Sequence, residues 1–376
     1  MSGPPAPRSA YLDHAGFGRL RPAAVAAMRE VLTEVLPYGS TRLGGIFTTR
    51  AAARRSMARL LDCAPTEVAF VPNTSTGLHL VADGLDWRPG DQVVLFDRDF
   101  PANVRPWTAL SRYGVEPVWV PMRDGGYRSA DLAAAIGPRT RLVAVSHVNF
   151  ATGFRIDLDT VCALAARVGA LVSVDAVQSL GALPLSLADT PVDFLAAGAQ
   201  KWLGGPPGMG VFFCRADRLE LLGTAPTGWF GFDGAAELMK GPGPLSYQLP
   251  ARAAASRVEG GMYDLVGMAG LAAALAELEA VGLDVVADRV LALADRIRTG
   301  ISDIGFTLAT PPDPAANSGI VSFSAPGLTG AELVDTLTGS GVQVSVPAGL
   351  VRVSPHYWTT DDEVDLFLVR ISELKP

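Results

Sequence analysis

Residues 192–213 read VDFLAAGAQKWLGGPPGMGVFF, and they predict a strand, a lysine, a tight turn and a second strand. The apolar run 194–197 has the length of a buried strand and is followed by Lys201. Glycine and proline fill most of positions 204–210, where they favour a tight turn, and the β-like run 211–213 comes next. Lys201 is therefore predicted to lie on a loop between two strands.

A strand signal upstream of this segment supplies an acid. Residues 171–174 (LVSV) form an apolar run that ends at Asp175, and Gln178 follows in the next turn. A carboxylate at a strand end and an amine on the next loop suit pyridoxal phosphate (PLP). The aldehyde of PLP needs an amine, and its pyridinium nitrogen needs a carboxylate. We therefore predict that Lys201 and Asp175 bind PLP.

The segments DAVQS (175–179) and GAQKWLGGPPGMG (198–210) resemble the fold-type I PLP enzymes of the class V aminotransferase group. That group includes cysteine desulfurases, kynureninases and isopenicillin N epimerase-like proteins, and the resemblance extends over nearly the whole chain. It implies that Lys201 carries PLP as a Schiff base. It also implies that Asp175 keeps the pyridine nitrogen protonated and that Gln178 contacts the phenolic oxygen of the cofactor.

Composition limits the possible functions. The chain has 376 residues, of which 49% are hydrophobic and 18% charged, so we expect a globular protein with one large and one smaller domain. The net charge is −7 and no basic stripe is present, so nucleic acid is not an expected partner. No apolar run reaches the roughly 20 residues of a membrane helix, and no signal peptide pattern is seen. We expect a cytoplasmic protein without a membrane partner.

The histidines and cysteines do not predict a metal centre. The chain contains three cysteines and four histidines, and their spacing does not match that of metal ligands. Each cysteine sits beside apolar residues, as a small buried side chain does. The expected cofactor is therefore PLP alone.

Short apolar runs alternate with helical patterns across the first part of the chain, at 68–71, 92–96, 116–120, 141–148, 171–174, 193–197 and 210–213. This alternation predicts an α/β fold, in which a large PLP-binding domain holds a mostly parallel seven-stranded sheet sandwiched by helices. The pattern changes near residue 226, which predicts a smaller α+β C-terminal domain. We assign residues 20–258 to the large domain, and 1–19 with 259–376 to the small one.

Ligands of parallel sheets bind at the carboxyl ends of the strands. Four residues come just past predicted strand ends: Thr74, Phe100, Asn149 and Asp175. Thr74 and Ser75 also open a predicted helix, where free N–H groups and hydroxyls suit a phosphate. Serine and threonine at a helix start also serve as simple caps. This convergence predicts the site independently of the family resemblance.

The resemblance gives roles to further residues. Phe100 stacks on the pyridine ring, as a phenylalanine does in kynureninases, and Asn149 in SHVNFATG contacts the cofactor or the substrate. Gln200 replaces the histidine of the desulfurases and is a further expected cofactor contact. Arg352 matches the arginine that holds the substrate α-carboxylate. Trp229 is similar to a kynureninase tryptophan that reaches the partner subunit's phosphate, which implies a homodimer with a shared active site, although a plain core or interface role remains open for it.

Two differences from the family bear on the reaction. Cys214 is the last cysteine, so the C-terminal third lacks the thiol with which a desulfurase accepts sulfur. Met262 stands where many relatives have a phosphate-binding threonine from the neighbouring subunit. We expect a lyase that removes the Cα proton of an L-α-amino acid or amino-acid conjugate and eliminates a β-substituent, such as a thiol from a cysteine conjugate. Transamination, epimerisation and decarboxylation-linked deamination are alternatives, as are a sugar aminotransferase-like protein and a non-catalytic scaffold.

Overall fold

The computed structural model describes residues 9–42, 44–223, 225–234 and 249–374. Seven strands form its largest sheet: β2 (Val68–Val71), β3 (Gln92–Phe96), β4 (Glu116–Val120), β5 (Thr140–Ser146), β6 (Leu171–Asp175), β7 (Phe194–Gly198) and β8 (Gly210–Cys214). Their spatial order is β2-β8-β7-β6-β5-β3-β4. Only β8 runs antiparallel to its neighbours, β2 and β7. The predicted α/β fold with a mostly parallel seven-stranded sheet is therefore confirmed.

Helices cover both faces of this sheet. The α-helices are α1 (Pro22–Glu30), α2 (Gly44–Leu61), α3 (Thr74–Gly84), α4 (Arg105–Thr108), α5 (Ser129–Ala135), α6 (Leu158–Ala166), α7 (Leu265–Val281), α8 (Leu283–Ile304), α9 (Gly330–Gly339) and α10 (Asp361–Ser372). Apolar side chains of α2, α6 and α7 share one core with β6 and β7. Those of α3 share a second core with the opposite face, and every residue of β6, β7 and β8 is buried. Burial on both sides explains why these strands are continuous apolar runs.

A smaller α+β region follows. It contains the antiparallel strands β9 (Thr307–Leu308), β10 (Val321–Ser324) and β12 (Val351–Val353), while β1 (Ala10–Tyr11) pairs in parallel with β11 (Val342–Gln343). The N-terminal strand thus pairs with a strand of the C-terminal region. The domain boundaries 1–19, 20–258 and 259–376 stay predictions, and residues 1–8, 43, 224, 235–248 and 375–376 lie outside the described residues.

The segment after β1 is held by a neutral histidine, His14. The Nδ1 of His14 lies 3.1 Å from the carbonyl oxygen of Ser354, and Trp358 donates its indole N–H to Nε2 over 3.2 Å. Because Nε2 must keep a lone pair to accept that bond, Nδ1 carries the proton. Burial lowers the pKa of His14 to about 4, which agrees with a neutral ring. His14 thereby attaches the N-terminal segment to the region that follows β12.

No single helix in the described ranges has both the length and the apolar character of a membrane span. Of the described helices, only α7 and α8 taken together have both, and the two are bent by 84° at their junction.

Candidate active site

Lys201 lies on the loop that joins β7 to β8. Gly204 turns the chain directly afterwards with a φ of 65°, a conformation that side chains with a Cβ rarely adopt. The N–H of Gly18 donates to the Gln200 carbonyl over 2.7 Å, and a Cβ at position 18 would overlap the Lys201 carbonyl oxygen. The N-terminal segment therefore packs directly on the lysine loop. Burial lowers the pKa of Lys201, and the charge of Asp175 partly offsets this.

Asp175 ends β6 and is buried. Among the described residues, its carboxylate accepts one hydrogen bond, from the Val177 N–H over 2.9 Å. Burial raises the pKa of Asp175, Asp99 raises it further, and the charge of Lys201 lowers it. A buried carboxylate with so few donors is poorly compensated, and a protonated pyridine nitrogen would supply both a positive charge and an N–H.

Phe100 presents its ring to the lysine. The Nζ of Lys201 lies 5.7 Å from the centroid of this ring, and Phe100 is 42% exposed. The ring of Phe150 meets it edge-on, with centroids 5.1 Å apart. An accessible aromatic face beside the amine has the geometry that stacking on a pyridine ring requires. The stacking role of Phe100 stays a prediction that this placement supports.

Asp99 is a site residue that the sequence reasoning missed. It accepts hydrogen bonds from the Ser146 hydroxyl over 2.7 Å, the Phe100 N–H over 2.6 Å and the Asn103 amide over 3.0 Å. Burial raises the pKa of Asp99. Asp99 comes just past the end of β3, and the same position predicts a site role for the adjacent Phe100. Asp99 fixes the backbone of Phe100 and acts electrostatically on Asp175.

Thr74 and Ser75 form the first turn of α3. The cap of this helix is Asn73, whose side chain accepts from the Thr76 N–H over 2.9 Å. Asn73 therefore caps the helix, and Thr74 and Ser75 do not have that role. Their N–H groups lie where a helix supplies no acceptors, which makes them available to an anion such as a phosphate.

Arg352 lies on β12 and is held by groups from three segments. Its Nη1 donates to the Phe150 carbonyl over 2.9 Å, and Nε and Nη2 donate to the Ser345 hydroxyl over 3.2 and 3.0 Å. Nη2 also lies 3.3 Å from Oδ1 of Asp13, an ion pair that sequence reasoning did not foresee. The positive charge of Arg352 lowers the pKa of Lys201, so the two cations act within one site.

These residues form a donor set that fits PLP. The Lys201 amine, whose pKa is lowered, lies beside the Phe100 ring. Among the described residues the buried Asp175 carboxylate has one hydrogen-bond donor, and the N–H groups of Thr74 and Ser75 follow β2. In the described parts of the chain, no group of histidine, cysteine, aspartate and glutamate side chains could hold a metal ion. The site therefore suits an organic cofactor that carries an aldehyde, a ring nitrogen and a phosphate.

Comparison with known proteins gives the family. The family model described as aminotransferase class-V matches residues 10–372. The chain belongs to the class V aminotransferases. It is 31% identical over 323 residues to an uncharacterised aminotransferase of Bacillus subtilis, covering 83% of this chain and 80% of that protein. It is 28% identical to the isopenicillin N epimerase of Streptomyces clavuligerus, covering 97% of this chain and 91% of the epimerase.

Solved structures agree with the family. The cystine C–S lyase C-DES, in complex with its product cysteine persulfide, superposes with a TM-score of 0.88 at 25% identity. The match covers 98% of each chain. A mutant of the same lyase, with glycine covalently linked to its PLP cofactor, superposes with a TM-score of 0.86. The cofactor of this class V, fold-type I enzyme is therefore PLP.

Gln178 and Gln200 are both predicted to contact the cofactor, and both also contact other residues of this chain. The amide nitrogen of Gln178 donates to the Ala15 carbonyl over 3.0 Å, and its oxygen accepts from the Trp202 indole over 3.0 Å. One amide N–H of Gln178 is not used by these bonds, so its predicted contact with the phenolic oxygen stays a prediction. The Gln200 side chain folds back over Gly198, where a Cβ would overlap its Oε1. Its role as a cofactor contact also stays a prediction.

The structure gives Asn149 a local role. Its Oδ1 accepts from the N–H groups of Ala151 and Thr152, each over 3.0 Å. Its Nδ2 lies 3.2 Å from both the Arg98 carbonyl and the Tyr127 hydroxyl, and the residue is buried. A contact with cofactor or substrate would require the amide to leave these partners, so the arrangement does not support that prediction. The neighbouring Phe150 supplies the groups that touch Phe100 and Arg352.

Trp229 lies apart from the contacts described for Lys201. Its ring stacks on Phe230 with centroids 3.8 Å apart, and it lies against Gly261. Met262, which replaces the threonine of many class V relatives, is 58% exposed. Both residues stand on the outer surface of this chain, so their predicted place in a second subunit's site stays a prediction.

Proposed function

We propose that this class V enzyme eliminates the β-substituent of an L-α-amino acid, with a cysteine conjugate as substrate and a thiol as the leaving group. The observation that carries the proposal is the charge arrangement around Lys201. The charge of Asp175 raises the pKa of Lys201 and that of Arg352 lowers it. In this proposal Asp175 pairs with the ring nitrogen of the cofactor and Arg352 with the carboxylate of the substrate. This arrangement supports an α-amino acid and disfavours an amino sugar, because a sugar has no α-carboxylate.

Each of these residues has a defined task. Bound PLP supplies an electron sink that stabilises negative charge at Cα. Burial lowers the pKa of Lys201 and makes the neutral amine available to take the Cα proton. The protonated amine then passes that proton to the sulfur of the leaving thiol, and its return to Cα instead gives exchange without elimination. Arg352 holds the α-carboxylate and so sets which bond at Cα faces the lysine. Phe100 would cover one face of the cofactor ring and exclude water from it.

The cysteines favour a lyase over a desulfurase that accepts sulfur as a persulfide on its own cysteine. Cys162 and Cys214 are buried on α6 and β8, and Cys63 follows α2. Burial raises the pKa of all three thiols, which leaves them in the unreactive neutral form. The loop before Arg352 carries no cysteine. Similarity to a C–S lyase whose product is cysteine persulfide favours sulfur as the atom that leaves.

A product assay tests the proposal. The PLP-loaded enzyme is incubated with cystine, S-methylcysteine and S-benzylcysteine, and keto acid, ammonia and thiol are measured. For a thioether conjugate and one water, the expected products are pyruvate, ammonium and the free thiol in equal amounts. Deuterium from heavy water is expected at Cα of recovered substrate, since Lys201 exchanges that proton. Transfer of the amino group to an added keto acid, without thiol release, would contradict elimination and support transamination. Inversion at Cα without thiol release would support epimerisation.

We also propose that the enzyme is a homodimer in which each subunit completes the other's phosphate site. Phe47, Trp229 and Met262 are exposed, and Phe47 contacts the ring of Phe230 on which Trp229 stacks. This exposed aromatic and Met surface is typical of a buried interface. Light scattering is expected to give twice the chain mass of 39.3 kDa, and a fully active monomer would exclude the shared site.

A further inference from the structure

Phe150 is an aromatic side chain in the site that has no task in the proposed reaction. It is partly exposed, whereas every other residue from 147 to 153 is buried. The turn that carries it is fixed, because Oδ1 of Asn149 accepts from the N–H groups of Ala151 and Thr152, each over 3.0 Å. The ring of Phe150 is therefore the side chain that this turn presents to the open site.

Phe150 contacts residues on two sides of the site. Its ring meets the ring of Phe100 edge-on, with centroids 5.1 Å apart, and the Phe100 centroid lies 5.7 Å from Nζ of Lys201. Its carbonyl oxygen accepts from Nη1 of Arg352 over 2.9 Å. Phe150 thus touches both the residue predicted to stack on the cofactor and the residue predicted to hold the α-carboxylate. When PLP covers Phe100, the ring of Phe150 stays at the edge of the cofactor, on the side of Arg352.

We propose that Phe150 is a specificity-determining residue, which contacts the β-substituent of the substrate and favours an alkyl or aryl thioether over a charged one. This inference rests on the proposed function and specifies its substrate class. An apolar substituent gains stability by burial against the ring, and a phenyl group adds an edge-to-face contact. A carboxylate in the same place loses water without gaining a hydrogen bond from the ring.

The test uses amino acids that carry no leaving group, so that binding is measured without elimination. L-2-Amino-5-phenylpentanoate is the carbon analogue of S-benzylcysteine, and L-2-aminoadipate is the carbon analogue of S-carboxymethylcysteine. Titration of the PLP-loaded enzyme, followed by the absorbance of the cofactor, gives both dissociation constants. Their ratio measures selectivity for the apolar substituent, because the α-amino and α-carboxylate groups of the two ligands are the same.

Phe150→Ala is expected to lower this selectivity at least about tenfold, mainly by weakening the binding of the phenyl ligand. Phe150→Leu is expected to keep most of the selectivity, because its side chain stays apolar. Tyr113→Ala removes an aromatic ring that is 51% exposed and has no described contact with Phe100, Phe150 or Arg352. This variant is the matched control and keeps the wild-type ratio.

Phe150→Gln places a polar side chain at the same position, and it decides the matter if Phe150→Ala does not fold. An unchanged ratio in the folded variants would overturn the role of Phe150. Tighter binding of the phenyl ligand by Phe150→Ala would also overturn it, because the ring would then restrict the site. Absence of thiol release from every conjugate by the wild-type enzyme would instead overturn the proposed function. The two failures are distinguishable, because neither ligand of the binding test can undergo elimination.

Discussion

Replacing Lys201 with alanine is expected to lower turnover by at least about 10³-fold and to abolish covalent attachment of the cofactor. Two losses combine, because the same amine holds PLP and moves the Cα proton. Positioned proton transfer alone contributes about 10²- to 10⁴-fold. The lowered pKa of Lys201 agrees with both tasks, since each requires the neutral amine.

Two measurements check this prediction. Borohydride reduction followed by peptide mass mapping is expected to find PLP on Lys201 in the wild-type enzyme and on no lysine of the alanine variant. The variant Lys201→Arg retains a positive charge beside Asp175 without a nucleophilic amine, so it separates charge from chemistry. It is expected to be as inactive as Lys201→Ala while keeping wild-type stability. Attachment of PLP to another lysine in the wild-type enzyme would show that the assignment of Lys201 is wrong.

The sequence predicted this part of the site because the signals are local. An apolar strand ending at Asp175 and a strand followed by Lys201 are neighbours in a parallel sheet, where β6 pairs with β7. Parallel strands end at the same edge, so their C-terminal residues must converge. The strand pattern predicts that Asp175 and Lys201 converge, and this pairing and the family resemblance both indicate PLP as the cofactor.

Other parts of the site depend on information that local patterns do not contain. Asp13 and Arg352 are 339 positions apart in the chain, and no spacing rule relates them. The predicted contact of Asn149 with cofactor or substrate stays a prediction, and the N–H groups of Ala151 and Thr152 already donate to its oxygen. That competition between a local turn and a ligand is a known property of asparagine and could have been weighed from the sequence. The next residue, Phe150, packs its ring edge-on against Phe100.

Replacing Arg352 with alanine is expected to lower kcat/KM by about 10²- to 10³-fold and also to destabilise the protein. The first effect follows from loss of the carboxylate contact. The second follows because Asp13 would remain nearly buried without its cation, which costs about 3 kcal/mol in comparable buried pairs. Chemical denaturation and steady-state kinetics on the same variant measure the two effects separately.

The double variant Asp13→Asn/Arg352→Ala distinguishes a catalytic role of Arg352 from a structural one. Removing both charges takes away the unpaired carboxylate, so the free energy of unfolding is expected to recover most of the loss. kcat/KM is not expected to recover, because the carboxylate receptor is still absent. Arg352→Lys keeps the charge but lacks the planar fork, and it is expected to raise KM more than it lowers kcat. If the double variant regained both stability and kcat/KM, Arg352 would serve only to balance Asp13, and the substrate carboxylate would have to bind elsewhere.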